Sequence, residues 1–235
     1  MTPDHKHGCL VCGKDLNYLP EPVTAECSFC GDSFSTETIC PDGHFVCDRC
    51  HRAPAEEIIG RYCGTTTELD PIEIARTLMN APQVAVHGPE HHFLVPAVLL
   101  AAFYNVQGKR DEKLCGIEKA RQRAALIKGG FCSTHGDCGA AVGTGIFISL
   151  VTGATPLSKE EWKLTNLVTA KSLETIALHG GPRCCKRNAF LAIQTAVDFT
   201  REHFGIVMPV KKPVVCDFSS QNKECLTKDC PFYTG

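Results

Sequence analysis

Between residues 9 and 50 the chain carries eight metal-type ligands in four pairs: Cys9 and Cys12, Cys27 and Cys30, Cys40 and His44, Cys47 and Cys50. The Cys-x2-Cys-Gly knuckle, present at Cys9–Gly13 and Cys27–Gly31, turns the backbone so that two thiolates face one tetrahedral ion, and glycine supplies the tight turn. A segment of about 40 residues cannot bury enough apolar surface to fold unaided, so metal must hold it. Eight ligands predict two structural zinc ions in a small ribbon or cross-brace module. The spacing leaves the pairing open. Sequential sites join residues 9, 12, 27, 30 and 40, 44, 47, 50; a cross-brace joins 9, 12, 40, 44 and 27, 30, 47, 50. His51 is an alternative to His44 as the eighth ligand. The Cys40–Cys50 run resembles half of a RING-type cross-brace, but the second half that a ligase reading needs is not found.

Sixteen cysteines in 235 residues would suit a disulfide scaffold in a short secreted chain. Met1–His7 contains no apolar signal segment, so the expectation is a cytoplasmic protein with reduced thiols, in which metal binding and thiol chemistry lead. A net charge of −2 gives no broad footprint for nucleic acid, which is an unlikely partner. The apolar runs Phe93–Tyr104 and Ala140–Gly153 fall short of the ~20 residues that cross a bilayer, so no membrane contact is expected.

Downstream the pattern is helical. Ala53–Gly60 reads as a short helix and Cys63–Thr67 as a connecting loop. Asp70-Pro71 caps a helix through Met79. Phe93–Tyr104 is a buried helix with a kink at Pro96. Lys113–Lys128 sets Leu114, Ile117, Ala120, Ala124 and Ile127 at helical spacing and stops on Gly129-Gly130. A helix lined by Gly139, Gly143 and Ala154 follows. Ser158-Lys159-Glu160-Glu161 caps a helix to Leu178, with Trp162 as a packing residue. Ala189–Phe204 is the last. The expected fold class is mostly α: a helical bundle domain (65–210) behind an N-terminal zinc-binding module (1–64), with a Cys-containing tail (211–235).

Three glycine-framed loops at helix starts concentrate the reactive side chains. Gly129–Gly139 carries Cys132, His135 and Cys138; His179–Arg187 carries Cys184 and Cys185; His87–His92 carries His87, Glu90, His91 and His92. A thiol near a helix N-terminus meets free N–H groups and the positive end of the macrodipole, which favour the thiolate. If the helices pack with these ends together, the loops form one pocket. Cys132, Cys138, Cys184 and Cys185 would bind a cofactor, and Arg183, with Lys186 and Arg187 nearby, would lower thiolate pKa or hold an anion. Cys115 and His179 stand apart and read as structural. In the tail, Cys216, Cys225 and Cys230-Pro231 form a further candidate metal set, with Cys63, Cys115 or an external group as fourth ligand.

The zinc module followed by His87-Gly-Pro-Glu-His-His92, Gly129-Gly-Phe-Cys-x2-His-Gly-x-Cys-Gly-Ala140 and Gly180-Gly-Pro-Arg-Cys-Cys-Lys-Arg187 resembles an uncharacterised domain-of-unknown-function family of anaerobic archaea and bacteria, over roughly residues 9 to 206. More loosely, Cys138–Gly143 with the later cysteines is similar to helical proteins assigned redox activity and named for a C-GCAxxG-C-C pattern. Here the cysteine precedes Gly139, and Cys184 and Cys185 are adjacent. The resemblance implies anaerobic redox or sulfur-related chemistry and names no reaction.

Three functions follow as expectations. The leading one is a metal- or iron–sulfur-dependent redox or sulfur-transfer enzyme, an oxidoreductase or sulfur transferase. Its thiolates would hold an iron–sulfur cluster or another metal with one open position, and His87 or His91, tuned by Glu90, would supply a proton. It would act on a small-molecule or sulfur-containing substrate, with a redox protein as partner. The second is metal-free thiol or persulfide chemistry. The third is a non-enzymatic zinc-binding module that docks protein or RNA.

Overall fold

The computed structural model describes residues 9–47, 49–50 and 53–234. His51 lies outside them. Two strands, β1 (Asn17–Glu26) and β2 (Ser33–Ile39), form the N-terminal module. They pair antiparallel, with Asn17 opposite Ile39 and Glu26 opposite Ser33. The register slips between Tyr18 and Val23, where Pro20 and Pro22 have no N–H for the ladder. Nine of the ten β1 residues are at least partly exposed, so the hairpin has no core of its own.

The hairpin decides the ligand pairing. Its open end brings the chain before β1 beside the chain after β2, and its turn lies a strand length away, about 33 Å for ten residues. Cys9, Cys12, Cys40 and His44 therefore form one group and Cys27, Cys30, Cys47 and Cys50 the other, each with its ligand atoms within 4.8 Å of one another. The cross-brace is the arrangement found, and sequential pairing is excluded.

Eight α-helices among the described residues make up the rest: α1 (Ala55–Thr65), α2 (Pro71–Asn80), α3 (Glu90–Gln107), α4 (Arg110–Ala124), α5 (Phe131–Thr134), α6 (Gly139–Thr152), α7 (Glu160–Leu178) and α8 (Cys185–Phe204). The mostly helical class is as expected. No described helix is long and apolar enough to cross a membrane.

The axis of the bundle is α3, which is apolar all round and touches α1, α2, α4, α6 and α8. Pro96 sits inside this continuous helix and cannot donate to the His92 carbonyl one turn back. Small residues let α6 approach closely. A Cβ on Gly143 would fall 2.8 Å from Pro96 Cδ, and one on Gly139 would overlap the His92 ring. Those two contacts dock the start of α6 against the start of α3.

Several boundaries differ from the sequence reading. Helix α1 continues through Gly60 and Gly64 to Thr65, so Cys63 lies on a helix, fully buried, and not in a connecting loop. The two glycines are one turn apart and face Phe93 and Leu114, so they are contact positions and not breaks. Helix α4 ends at Ala124, before the glycine pair. Ser158 bonds to Thr155 and does not cap α7, and Trp162 stands half exposed. Asp70 caps α2 as expected, accepting from Ile72 N at 2.8 Å. Its second oxygen accepts from Lys211 N at 2.8 Å and so ties down the tail.

The tail folds back over the start of α8. Cys216 N donates to Phe232 O at 2.8 Å and closes residues 216–232 into a loop. Phe232 packs edge-on against Phe190 of α8, and Arg76 reaches Val215 O and Asp217.

Candidate functional site

The three glycine-framed loops meet. A cavity of about 270 Å³ is lined by His87, His91 and His92 from the first, Cys132 and Cys138 from the second, and Arg183 and Cys185 from the third, with Asn188 from α8. The starts of α3, α6 and α8 converge here because Gly139 lets α6 close onto His92.

His91 is almost fully buried at the cavity wall. It is 1% exposed, and its Nδ1 lies 3.2 Å from the Gly88 carbonyl. Only a protonated Nδ1 can bond that oxygen, so the lone pair is on Nε2. That atom is buried and has no hydrogen-bond partner among the described residues. An imidazole anchored through one nitrogen to a backbone carbonyl, with the other bare, is how metal-binding histidines are oriented. His44 of the N-terminal module carries the same mark, a buried and unpartnered Nδ1. Burial, with the Lys186 charge nearby, pushes the His91 pKa down to about 3, so the ring is neutral at pH 7 and keeps a lone pair on Nε2.

The neighbours build the walls. His92 Nδ1 lies 3.2 Å from Ile127 O, and desolvation lowers its pKa. His87 Nε2 bonds Asn222 Oδ1 at 3.1 Å and so joins the cavity to the tail. Asn188 Nδ2 lies 3.6 Å from Cys138 Sγ. Burial raises the Cys185 thiol to about 11, with Gly88 N–H and Arg183 pulling the other way. A lone thiolate at Cys185 is therefore disfavoured, and a bound cation would supply what the site lacks.

Three of the expected residues, His135, Glu90 and Cys184, do not line the cavity. His135 is exposed, bonded to Thr134 Oγ1 and stacked on Phe131. Glu90 accepts from Ala85 N at 2.8 Å and shapes the loop, with Oε1 3.7 Å from His91 Nδ1. Lys186 and Arg187 point inward and not at an anion. Lys186 Nζ donates to Met79 O at 2.6 Å, and Arg187 donates to Gly180 O at 2.7 Å and to Pro182 O.

The adjacent cysteines of the third loop separate. Cys185 faces the His91 cavity, whereas Cys184 faces a narrower one with Cys216, Cys225 and Cys230 of the tail. Neither Cys63 nor Cys115 lines that second space; Cys115 is exposed on α4.

The chain belongs to the Family of unknown function (DUF5714), whose model matches residues 59–233. The match spans α2 to α8, most of α1, both cavities and nearly all of the tail, and begins after the two N-terminal ligand groups. No curated protein and no solved structure matches the chain.

Sequence reasoning missed Asn188 and the role of Asn222. Asn188 could have been found as the residue three positions after Cys185, on the same face of the helix start. Nothing local to Asn222 marks it, since its partner is 135 positions away.

Proposed function

We propose that the chain is a metal- or iron–sulfur-dependent enzyme of redox or sulfur-transfer type, with the His91 cavity as its active site. One observation carries this reading: a buried histidine with a bare Nε2 faces a cavity that three cysteines, Cys132, Cys138 and Cys185, also line. Among the described residues only the two N-terminal groups close within 4.8 Å, so the cavity ligands stand apart around an open space. An open position is what separates a reactive centre from a structural one.

His91 and the thiolates would hold a soft metal or cluster, which supplies electron transfer or sulfur activation when bound. Arg183 at the exposed rim would meet an anionic or sulfur-containing substrate. His91, neutral and fixed by Gly88, would serve as ligand or base, which leaves proton donation to His87 or His92. The two N-terminal groups, with seven thiolates and one imidazole in tetrahedral sets, suit zinc and would hold their module together. The burial that holds the Cys185 thiol protonated favours a metal over free thiol chemistry, and Cys184 faces away from the cavity in which a Cys184–Cys185 redox pair would have to work.

The test is anaerobic purification followed by elemental and sulfide analysis with visible spectra. The expected result is two zinc per chain plus iron or another redox metal, with the cavity's share lost in His91→Ala and Cys138→Ala. A chain that holds zinc alone after anaerobic reconstitution with iron and sulfide would rule the reading out.

A further inference from the structure

The second cavity brings four thiols together from segments more than 30 positions apart. Cys184 is the N-cap of α8, with its Sγ accepting from Arg187 N at 3.5 Å. Cys216, Cys225 and Cys230 come from the folded-back tail and line one cavity with Cys184. The walls between them are apolar: Val86, Phe218, Leu226 and Phe232.

Two features mark these thiols as ligands. First, Cys216 Sγ accepts from Phe218 N and Cys225 Sγ from Thr227 N, each at 3.4 Å. The same bond from the amide two residues on, at the same 3.4 Å, is made to Cys9 and Cys40 in the N-terminal metal group. Thr227 takes a φ of 48° to make it, a left-handed backbone at the only non-glycine position among the described residues where one occurs. Second, positive charge is buried beside them, although its hydrogen bonds go to backbone carbonyls. Lys186 and Arg187 line the cavity, and Lys186 Nζ stands 3.9 Å from the centre of the Phe218 ring. A positive helix start and two buried cations suit an anionic occupant coordinated by four thiolates.

The spacing selects the occupant. Four thiolates bonded to one zinc at about 2.3 Å lie about 4 Å apart. No three of these sulfurs close within 4.8 Å of one another, unlike the ligand atoms of the N-terminal groups. A cluster spreads four thiolates over two or four irons and so spans sulfurs further apart than a single ion does. We propose that Cys184, Cys216, Cys225 and Cys230 ligate an iron–sulfur cluster separate from the centre in the His91 cavity. Cys184 and Cys185 then place the two centres on either side of one peptide bond, and the His87–Asn222 bond joins their loops a second time.

The experiment uses the full chain, prepared and reconstituted without oxygen, with iron and acid-labile sulfide counted and the dithionite-reduced protein examined by electron paramagnetic resonance. Iron and sulfide should appear in equal amounts. A reduced-state cluster signal should persist in Cys138→Ala and disappear in Cys225→Ala, with two zinc retained in both. A variant-free measurement guards against misfolding: in the holo chain the four thiols should resist alkylation and become labelled together once iron is chelated. A third zinc in place of iron, a signal that survives Cys225→Ala and fails in Cys138→Ala, or ready alkylation of the four in the holo chain would each overturn the proposal. The second of these would leave the His91 reading standing.

Discussion

The N-terminal module and the helical domain use the same side chains in opposite ways. In the module eight ligands converge into two tight groups around a hairpin that has no core of its own. In the helical domain the cysteines and histidines stand on a scaffold already secured by its core, and they spread around cavities instead of closing on a point. Where the fold depends on the metal, the ligands form a closed shell. Where it does not, the ligands can leave a position open, and an open position is a requirement for chemistry.

The largest expected effect breaks the comparison at the module. Cys27→Ser, or stripping the chain with a strong chelator, should unfold residues 9–50, because structural zinc in finger peptides is worth about 10–16 kcal/mol. Limited proteolysis should cut there while circular dichroism shows the helices intact. Loss of the helices as well would mean that the two regions are not independent in this way.

Acid should separate them next. His91 titrates near 3 in the folded chain against 6.5 unfolded, so the unfolded state binds more protons between those values and stability falls as pH drops through that window. The loss should amount to a few kcal/mol at pH 4 relative to pH 7. Denaturation of His91→Gln should show a shallower fall than the parent. With both proteins prepared free of the cavity metal, acid release of the module's metal is common to them, so the difference isolates His91.

Gly139→Ala should be milder. The added methyl meets the His92 ring and forces the start of α6 off α3, costing about 1–3 kcal/mol as overpacking. The melting temperature should fall by several degrees, at about 2–4 °C per kcal/mol for a chain of this size. Metal bound at the cavity should fall too, whereas the two N-terminal ions stay. Cys115→Ser should do least. That thiol is exposed and belongs to neither set, so stability should change by less than about 0.5 kcal/mol and no metal should be lost.

Much of this was legible in the sequence. The ligand pairs, the Asp70-Pro71 cap and the glycine-framed loops are written in contiguous residues, and each appears where the spacing put it. The readings that failed were those that judged glycine and charge locally. Gly60 and Gly64 looked like breaks but are points of close helix contact, and Lys186 and Arg187 looked available to a ligand but spend their hydrogen bonds on backbone carbonyls.

The sequence by itself determined which residue types could bind metal and that helices would carry most of them, because knuckles, caps and helical periodicity depend on neighbours a few positions apart. Only the tertiary structure decided which ligands share a site. The hairpin joined Cys12 to Cys40, whose sulfurs lie 3.5 Å apart, and the returning tail set Cys216, Cys225 and Cys230 against Cys184. The split of Cys184 from Cys185 has the same origin. The first is an extended N-cap residue and the second the first residue of the helix, so the backbone turns between them and their side chains enter different cavities. Spacing along a chain fixes local geometry, but only the packing of distant segments fixes what faces what.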